Sequence, residues 1–168
     1  MLKQKIDIKK ICISAVLTAL CYVVTIFVSI PISSTGYINL SDFFIVFTTI
    51  AIDPLCGLLV AGIAPALADL TLGYYVYIPF TIISKVLESL LCHLLFNKIN
   101  NNGKYILIFL SGLVMALIYL IPDLIVLGFD QYLVGFVNVI FNTIQGIVGI
   151  FIALGVKQVF KKINYKIN

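Results

Sequence analysis

The chain is poor in charge, and that scarcity decides its class. Only 11% of its 168 residues are Asp, Glu, Lys or Arg, and 62% are hydrophobic, whereas soluble domains carry about 25% charged residues. Mean hydropathy is +1.17. Tryptophan is absent and histidine occurs once, as His93. A metal centre or a Ser/His/Asp set therefore has little to draw on. His93 falls near one end of an apolar run and reads as structural or interfacial. The four cysteines, Cys12, Cys21, Cys56 and Cys92, lie in or beside apolar runs without C-x-x-C or Cys/His spacing. They read as small packing residues. No G-x-x-x-x-G-K-[ST], G-x-S-x-G or H-E-x-x-H is present, which excludes P-loop nucleotide hydrolysis, the α/β-hydrolase nucleophile and the zincin site. No metal or cofactor is implied, and no stretch is left for a soluble catalytic domain.

What the chain has in abundance is apolar runs of bilayer length. About 20 helical residues rise ~30 Å, the thickness of the hydrocarbon core. The pattern predicts spans at Ile11–Ile30, Leu40–Ile52 (short), Leu55–Leu72, Tyr77–Phe96, Tyr105–Leu127 and Tyr132–Phe160. Turn-rich Pro31–Asn39, the Asp53-Pro54 step, Gly73–Val76, polar Asn97–Lys104 and Gly128–Gln131 separate them. The first run follows the basic stretch Met1–Lys10 as a signal sequence would, but it has no clear small-residue cleavage pattern, so it reads as a retained span. All eleven cations are lysines. Lys3, Lys5, Lys9 and Lys10 precede the first span, Lys98 and Lys104 lie between the fourth and fifth, and Lys157, Lys161, Lys162 and Lys166 end the chain. With six spans these ten all fall on one face, and the positive-inside rule places both termini in the cytoplasm. The expectation is an all-α integral membrane protein of six transmembrane helices, one domain over 1–168, with loops 31–39, 73–76 and 128–131 outside. The net charge of +4 then expresses orientation, not a nucleic-acid partner.

The eleventh lysine is inside a span. Lys85 and Glu88 sit in YIPFTIISKVLESLLCHLLF, three residues apart and so on one helix face, where they can partly neutralise each other. An ionisable group in a membrane helix costs about 2.5–3.5 kcal/mol on insertion scales and usually meets a partner or a watery cavity. Either the pair locks helices together or it borders a ligand site. Asp69 lies about one turn from the outer end of its span; it either snorkels to water or meets Lys85, which is about nine residues (~13 Å) in from the same side. Asn138, Asn142 and Gln145 recur at i, i+4 and i+7 on one face of the last span. Three amides in an apolar span must be satisfied, by interhelix bonds or by a polar ligand. Asn138 and Asn142 lie ~9 and ~15 Å below Tyr132, near the depth of Lys85, which points to one pocket between the fourth and sixth spans. Asn39 and Asp42 suit the start of the second span as cap and dipole partner, or the wall of an outer pocket. Tyr37, Tyr74, Tyr75 and Tyr77 form either an interfacial belt or flat faces for an aromatic ligand. Ala15 and Ala19, in A-x-x-x-A, let another helix approach closely, within this chain or from a partner. Gly146 and Gly149 do the same deeper in the last span.

These segments resemble the substrate-binding S components of energy-coupling factor (ECF) vitamin transporters. The likeness rests on A-x-x-x-A in the first span, G-Y-I-N-L-S-D before the second, A-L-A-D-L-x-x-G-Y ending the third and Y-x-P-F-T-I-I-S-K in the fourth. It is strongest over Ile11–Phe96 and nearest the branch serving riboflavin, pyridoxine and hydroxymethylpyrimidine. The resemblance implies a protein that is not an enzyme. It implies capture of a water-soluble vitamin from outside and docking on a transmembrane T subunit with two cytoplasmic ATPases, in a bacterial cytoplasmic membrane. Carried onto this chain, Ala15 and Ala19 match the docking motif, and the pocket takes the first outer loop with Asn39, then Asp69, Tyr74, Tyr77, Lys85, Glu88, Asn138, Asn142 and Gln145. No Trp is available to stack a ligand, so Tyr or Phe must serve. A pyridoxine- or hydroxymethylpyrimidine-like heterocycle is favoured, with riboflavin or pantothenate as other members of the class. The rival expectations are a self-sufficient transporter coupling solute to protons through Asp69, Lys85 and Glu88, and a small intramembrane enzyme, which the missing nucleophile and base disfavour.

Overall fold

The computed structural model describes residues 8–32, 35–96 and 101–162. Lys3, Lys5, Lys98 and Lys166 lie outside them. Among the described residues there are six α-helices: α1 (Ile8–Phe27), α2 (Ser41–Phe47), α3 (Pro54–Leu72), α4 (Ile78–Phe96), α5 (Asn101–Leu127) and α6 (Tyr132–Lys162). Five helical segments are long and apolar enough to cross a membrane, and the segment Ser41–Ala51 is a shorter apolar helix. The protein is therefore an all-α membrane protein.

Each boundary follows from local chemistry. Asp53 is extended (φ −162°), its side chain accepts from Leu55 N at 2.9 Å, and Pro54 opens α3 at a position whose N–H needs no partner. Gly73, at φ 87°, ends α3 in the left-handed conformation that glycine tolerates, and Tyr74 N closes onto Asp69 O at 2.8 Å. The described part of the predicted loop Pro31–Asn39 holds two short strands. Strands β1 (Ile30–Pro31) and β2 (Tyr37–Ile38) pair antiparallel across it. Of the polar turn expected at Asn97–Lys104, Asn101–Lys104 belong to α5 and the rest lies outside the described residues.

The helices form a closed ring. α1 packs on α3, α3 on α4, α4 on α5, α5 on α6 and α6 on α2, while α2 also touches α1, α3 and α4. The short α2 is thus the interior element, with Ser41, Asp42, Ile45, Val46 and Phe47 buried. It continues as a π-helical turn, Thr48–Ile52, in which Asp53 N reaches Thr48 O at 3.1 Å. Two basic residues clamp that end: Lys10 Nζ lies 3.2 Å from Asp53 Oδ2 and Lys157 Nζ donates to Ile50 O at 2.6 Å. The start of α1 and the end of α6 therefore meet at one end of the bundle.

Close approach of α2 to α6 depends on Gly149. A Cβ there would fall 2.6 Å from Asp42 Cβ and 2.9 Å from Phe43 N, which no side chain tolerates without backbone movement. Polarity is arranged for lipid. Phe136, Ile140, Ile144 and Phe151 on α6 are exposed, whereas Asp42, Lys85, Glu88, Asp123 and Asn138 are buried. With no apolar drive between helices in a bilayer, interior hydrogen bonds and close packing hold the ring together.

Candidate functional site

At the end opposite the Lys10 and Lys157 clamps, a partly open cavity of about 40 Å³ lies between the β1–β2 hairpin loop and α3–α6. A second, more open hollow of about 250 Å³ over Gly73–Tyr77 shares Thr35, Tyr74 and Tyr77 with it and forms its mouth.

The floor is a chain of charge-assisted bonds. The Lys85 ammonium on α4 pairs with Asp42 Oδ1 on α2, and both side chains are almost fully buried. Gln145 Nε2 on α6 donates to Asp42 Oδ2, and Gln145 Oε1 accepts from Asn39 N at 2.8 Å. Asn39 Oδ1 in turn accepts from Ser41 N at 2.8 Å. Lys85 Nζ also lies 3.1 Å from Met115 Sδ and 6.0 Å from the centre of the Tyr119 ring. One network therefore joins α2, α4, α5 and α6 below the hollow.

The walls carry two further acidic nodes. Asp69 on α3 accepts from Tyr37 Oη at 2.6 Å and from Thr81 Oγ1, which itself accepts from Tyr119 Oη at 3.1 Å. Asp123 on α5 accepts from Tyr77 Oη and, at 3.0 Å, from Asn138 Nδ2. Asn138 Nδ2 also reaches Thr35 Oγ1 at 3.1 Å. Tyr37 and Thr35 tie the hairpin loop to the two nodes, so the loop sits over the cavity. Burial beside Asp69 pushes the Tyr37 phenol well above its usual range, which keeps it a donor. The aromatic side is Tyr37, Tyr74 and Tyr77, with ring centroids 5.1 Å (Tyr37–Tyr74) and 5.9 Å (Tyr74–Tyr77) apart. Because its Nδ2 faces a carboxylate, the Asn138 amide orientation is fixed. Its Oδ1 is buried with no hydrogen-bond partner among the described residues.

Asn39, Asp69, Tyr74, Tyr77, Lys85, Asn138, Asn142 and Gln145 all line this one cavity. Glu88 does not: it lies one turn deeper, with its carboxyl buried against that of Asp42. Lys85 is neutralised by Asp42 on another helix instead of by Glu88 on its own, because Asp42 brings a carboxylate directly to the ammonium across the α2–α4 contact. Asp69 neither snorkels nor bonds Lys85, since Tyr37 and Thr81 occupy its oxygens. Tyr75 is 64% exposed and belongs to the mouth, not the cavity. Ala15 and Ala19 are exposed on α1, away from the bundle interior. Sequence reasoning missed Thr81, Tyr119 and Asp123 as cavity residues and Asp42 as the partner of Lys85. Asp123, directly after Pro122 in an apolar span, was the clearest unread signal.

An all-α membrane bundle with a polar, aromatic-walled hollow near one end is the architecture of a protein that holds a small solute. The chain belongs to the ECF-type riboflavin transporter S component family, whose sequence profile matches residues 5–162. It is thus a substrate-binding subunit of a vitamin transporter, and the family is one of transporter components, not enzymes. A protein of Pyrococcus woesei described as "Uncharacterized protein in gap 3'region" is 32% identical over 142 residues, covering 83% of this chain and 93% of that protein.

Proposed function

We propose that the chain captures an aromatic nitrogen-heterocyclic vitamin from the outer side of the cytoplasmic membrane of a bacterial-type cell, as one six-span domain over 1–168 with both termini inside. Riboflavin ranks first, because the family description names it. The smaller pyridoxine and hydroxymethylpyrimidine rings present the same kind of flat, hydrogen-bonding edge. The observation that carries this reading is the convergence of Lys85, Asn138, Asn142 and Gln145 with Tyr74 and Tyr77 on one cavity. Tyrosine faces stack the ring, Asn138 and Asn142 orient its substituents, and Lys85 offers a charge-assisted hydrogen bond to a ring acceptor. Ala15 and Ala19 dock a transmembrane T subunit that works with two ATPases, which supply the energy for uptake.

Titration of the purified chain with riboflavin, pyridoxine and hydroxymethylpyrimidine tests the reading. Submicromolar binding of one of them, weakened by Asn138→Ala, supports it; no binding of any opposes it. Uptake by proteoliposomes holding this chain alone, driven by a pH gradient, would favour the rival proton-coupled transporter.

A further inference from the structure

We infer that Glu88 carries its proton in the folded protein and donates it in a hydrogen bond to Asp42, so that a neutral acid beneath the cavity floor positions the carboxylate that binds Lys85 and Gln145. The charge state stands on the geometry of the bundle interior; its consequence for ligand affinity rests on the proposed function.

Asp42 is the carboxylate of the two. Its Oδ1 accepts from the Lys85 ammonium and its Oδ2 from Gln145 Nε2. The Gln145 amide cannot turn round, because its Oε1 already accepts the Asn39 backbone N–H at 2.8 Å. A proton on either Asp42 oxygen would weaken a bond which that oxygen accepts. Lys85 is the cation. Besides Asp42 it meets Met115 Sδ at 3.1 Å and the centre of the Tyr119 ring at 6.0 Å, an electron-rich pair that suits positive charge.

That leaves nothing to balance a second anion. Glu88 is fully buried, with its carboxyl against that of Asp42. Lys85 is the one buried cation among the described residues, and Asp42 already neutralises it. The other groups around the triad are Cys21 on α1, Asp69 on α3, Cys92 on α4 and Tyr119 on α5, none of them a cation, and α6 presents the Gln145 amide. A buried ion without a partner neutralises itself, and two adjoining carboxyls then hold one proton between them. With its O–H on Asp42, Glu88 acts through its neighbours without touching the ligand. Asp42 holds Gln145, Gln145 holds Asn39, and Lys85, Gln145 and Asn39 line the cavity.

Glu88 is the chain's one glutamate, so carboxyl-¹³C glutamate introduced by cell-free synthesis reports on it alone. At neutral pH the labelled protein should show the infrared C=O band of an un-ionised carboxylic acid. A carboxylate band overturns the inference, whether sodium or another ion supplies the counter-charge. Glu88→Gln still gives Asp42 an N–H; it should keep the melting temperature of the natural chain and bind riboflavin within about threefold, whereas Glu88→Leu, of similar size but without a donor, should bind about tenfold more weakly, the scale of one hydrogen bond to a charged group. Equal behaviour of the two variants overturns the positioning role. Should Glu88→Leu fail to fold, a Glu88→Gln affinity lower by about tenfold or more overturns that role on its own. Failure of riboflavin, pyridoxine and hydroxymethylpyrimidine to bind the natural chain removes the proposed function instead, and the labelled spectrum and the melting temperatures of the variants still decide the state of Glu88.

Discussion

The Lys85 ammonium binds Asp42 Oδ1, 43 positions earlier and on a different helix, while the Glu88 carboxyl one turn further along α4 lies buried beside the same Asp42 carboxyl. That pair sets the floor of the cavity and ties the short interior helix to the ring. Removing one member of a buried ion pair leaves the other charged and desolvated, at a cost of about 3–5 kcal/mol. Lys85→Met and Asp42→Asn should each lower the unfolding midpoint in detergent markedly. The double variant should lose less than the sum of the two, a coupling that a double-mutant cycle measures directly.

The contact of Gly149 with Asp42 and Phe43 makes α6 the gauge of where α2 sits. Gly149→Ala inserts a methyl group where the nearest atoms stand 2.6 and 2.9 Å away. The expected cost is about 1–3 kcal/mol from overpacking. Ligand affinity should fall with it, because Asp42 and Gln145 share the displaced contact. Gly155→Ala, where a Cβ meets nothing within 4 Å, is the control and should change neither.

Tyr37 holds the hairpin loop to Asp69 through a phenol whose proton burial retains. The sign follows from linkage. A phenol held above its unfolded value of about 10 stabilises fully below that pH, and its contribution declines as pH rises beyond it. The stability difference between the natural chain and Tyr37→Phe should be constant from neutral pH to about 9 and shrink above about 10. The same variant should release ligand faster at neutral pH, read by stopped-flow exchange.

Ala15 and Ala19 are exposed on α1 while Ser14 is buried and bonded to Lys10 O at 2.7 Å. A bulky side chain at the alanines therefore meets no neighbour inside the bundle. Ala15→Trp/Ala19→Trp should keep its melting temperature and vitamin affinity yet fail to co-purify with T subunit and ATPases. Normal assembly of this variant would remove the docking role.

Much of this was legible in the chain. Apolar runs and the Asp53-Pro54, Gly73 and Gly128 breaks located the helices, because membrane helices must satisfy their own backbone and end where turn residues allow. Depth was legible too: counting residues from Tyr132 set Asn138 and Asn142 near the level of Lys85. Azimuth was not. Periodicity along α4 places Lys85 and Glu88 on one face but is silent on which neighbouring helix supplies the counter-charge. Asp42 read equally well as a dipole partner for α2. Asp123 comes within 3.0 Å of Asn138 only because α5 packs beside α6, a pairing that the apolar run of α5 does not encode. The hairpin strands are two residues each, too short to leave a period in the sequence.

The most direct test is mass spectrometry of small molecules released from the gently purified protein after growth with riboflavin, pyridoxine and hydroxymethylpyrimidine. The account predicts one aromatic nitrogen heterocycle in near-stoichiometric amount, diminished in Lys85→Met and Asn138→Ala preparations that remain folded. Protein that emerges empty, or that carries a ligand retained undiminished by both variants, would contradict it.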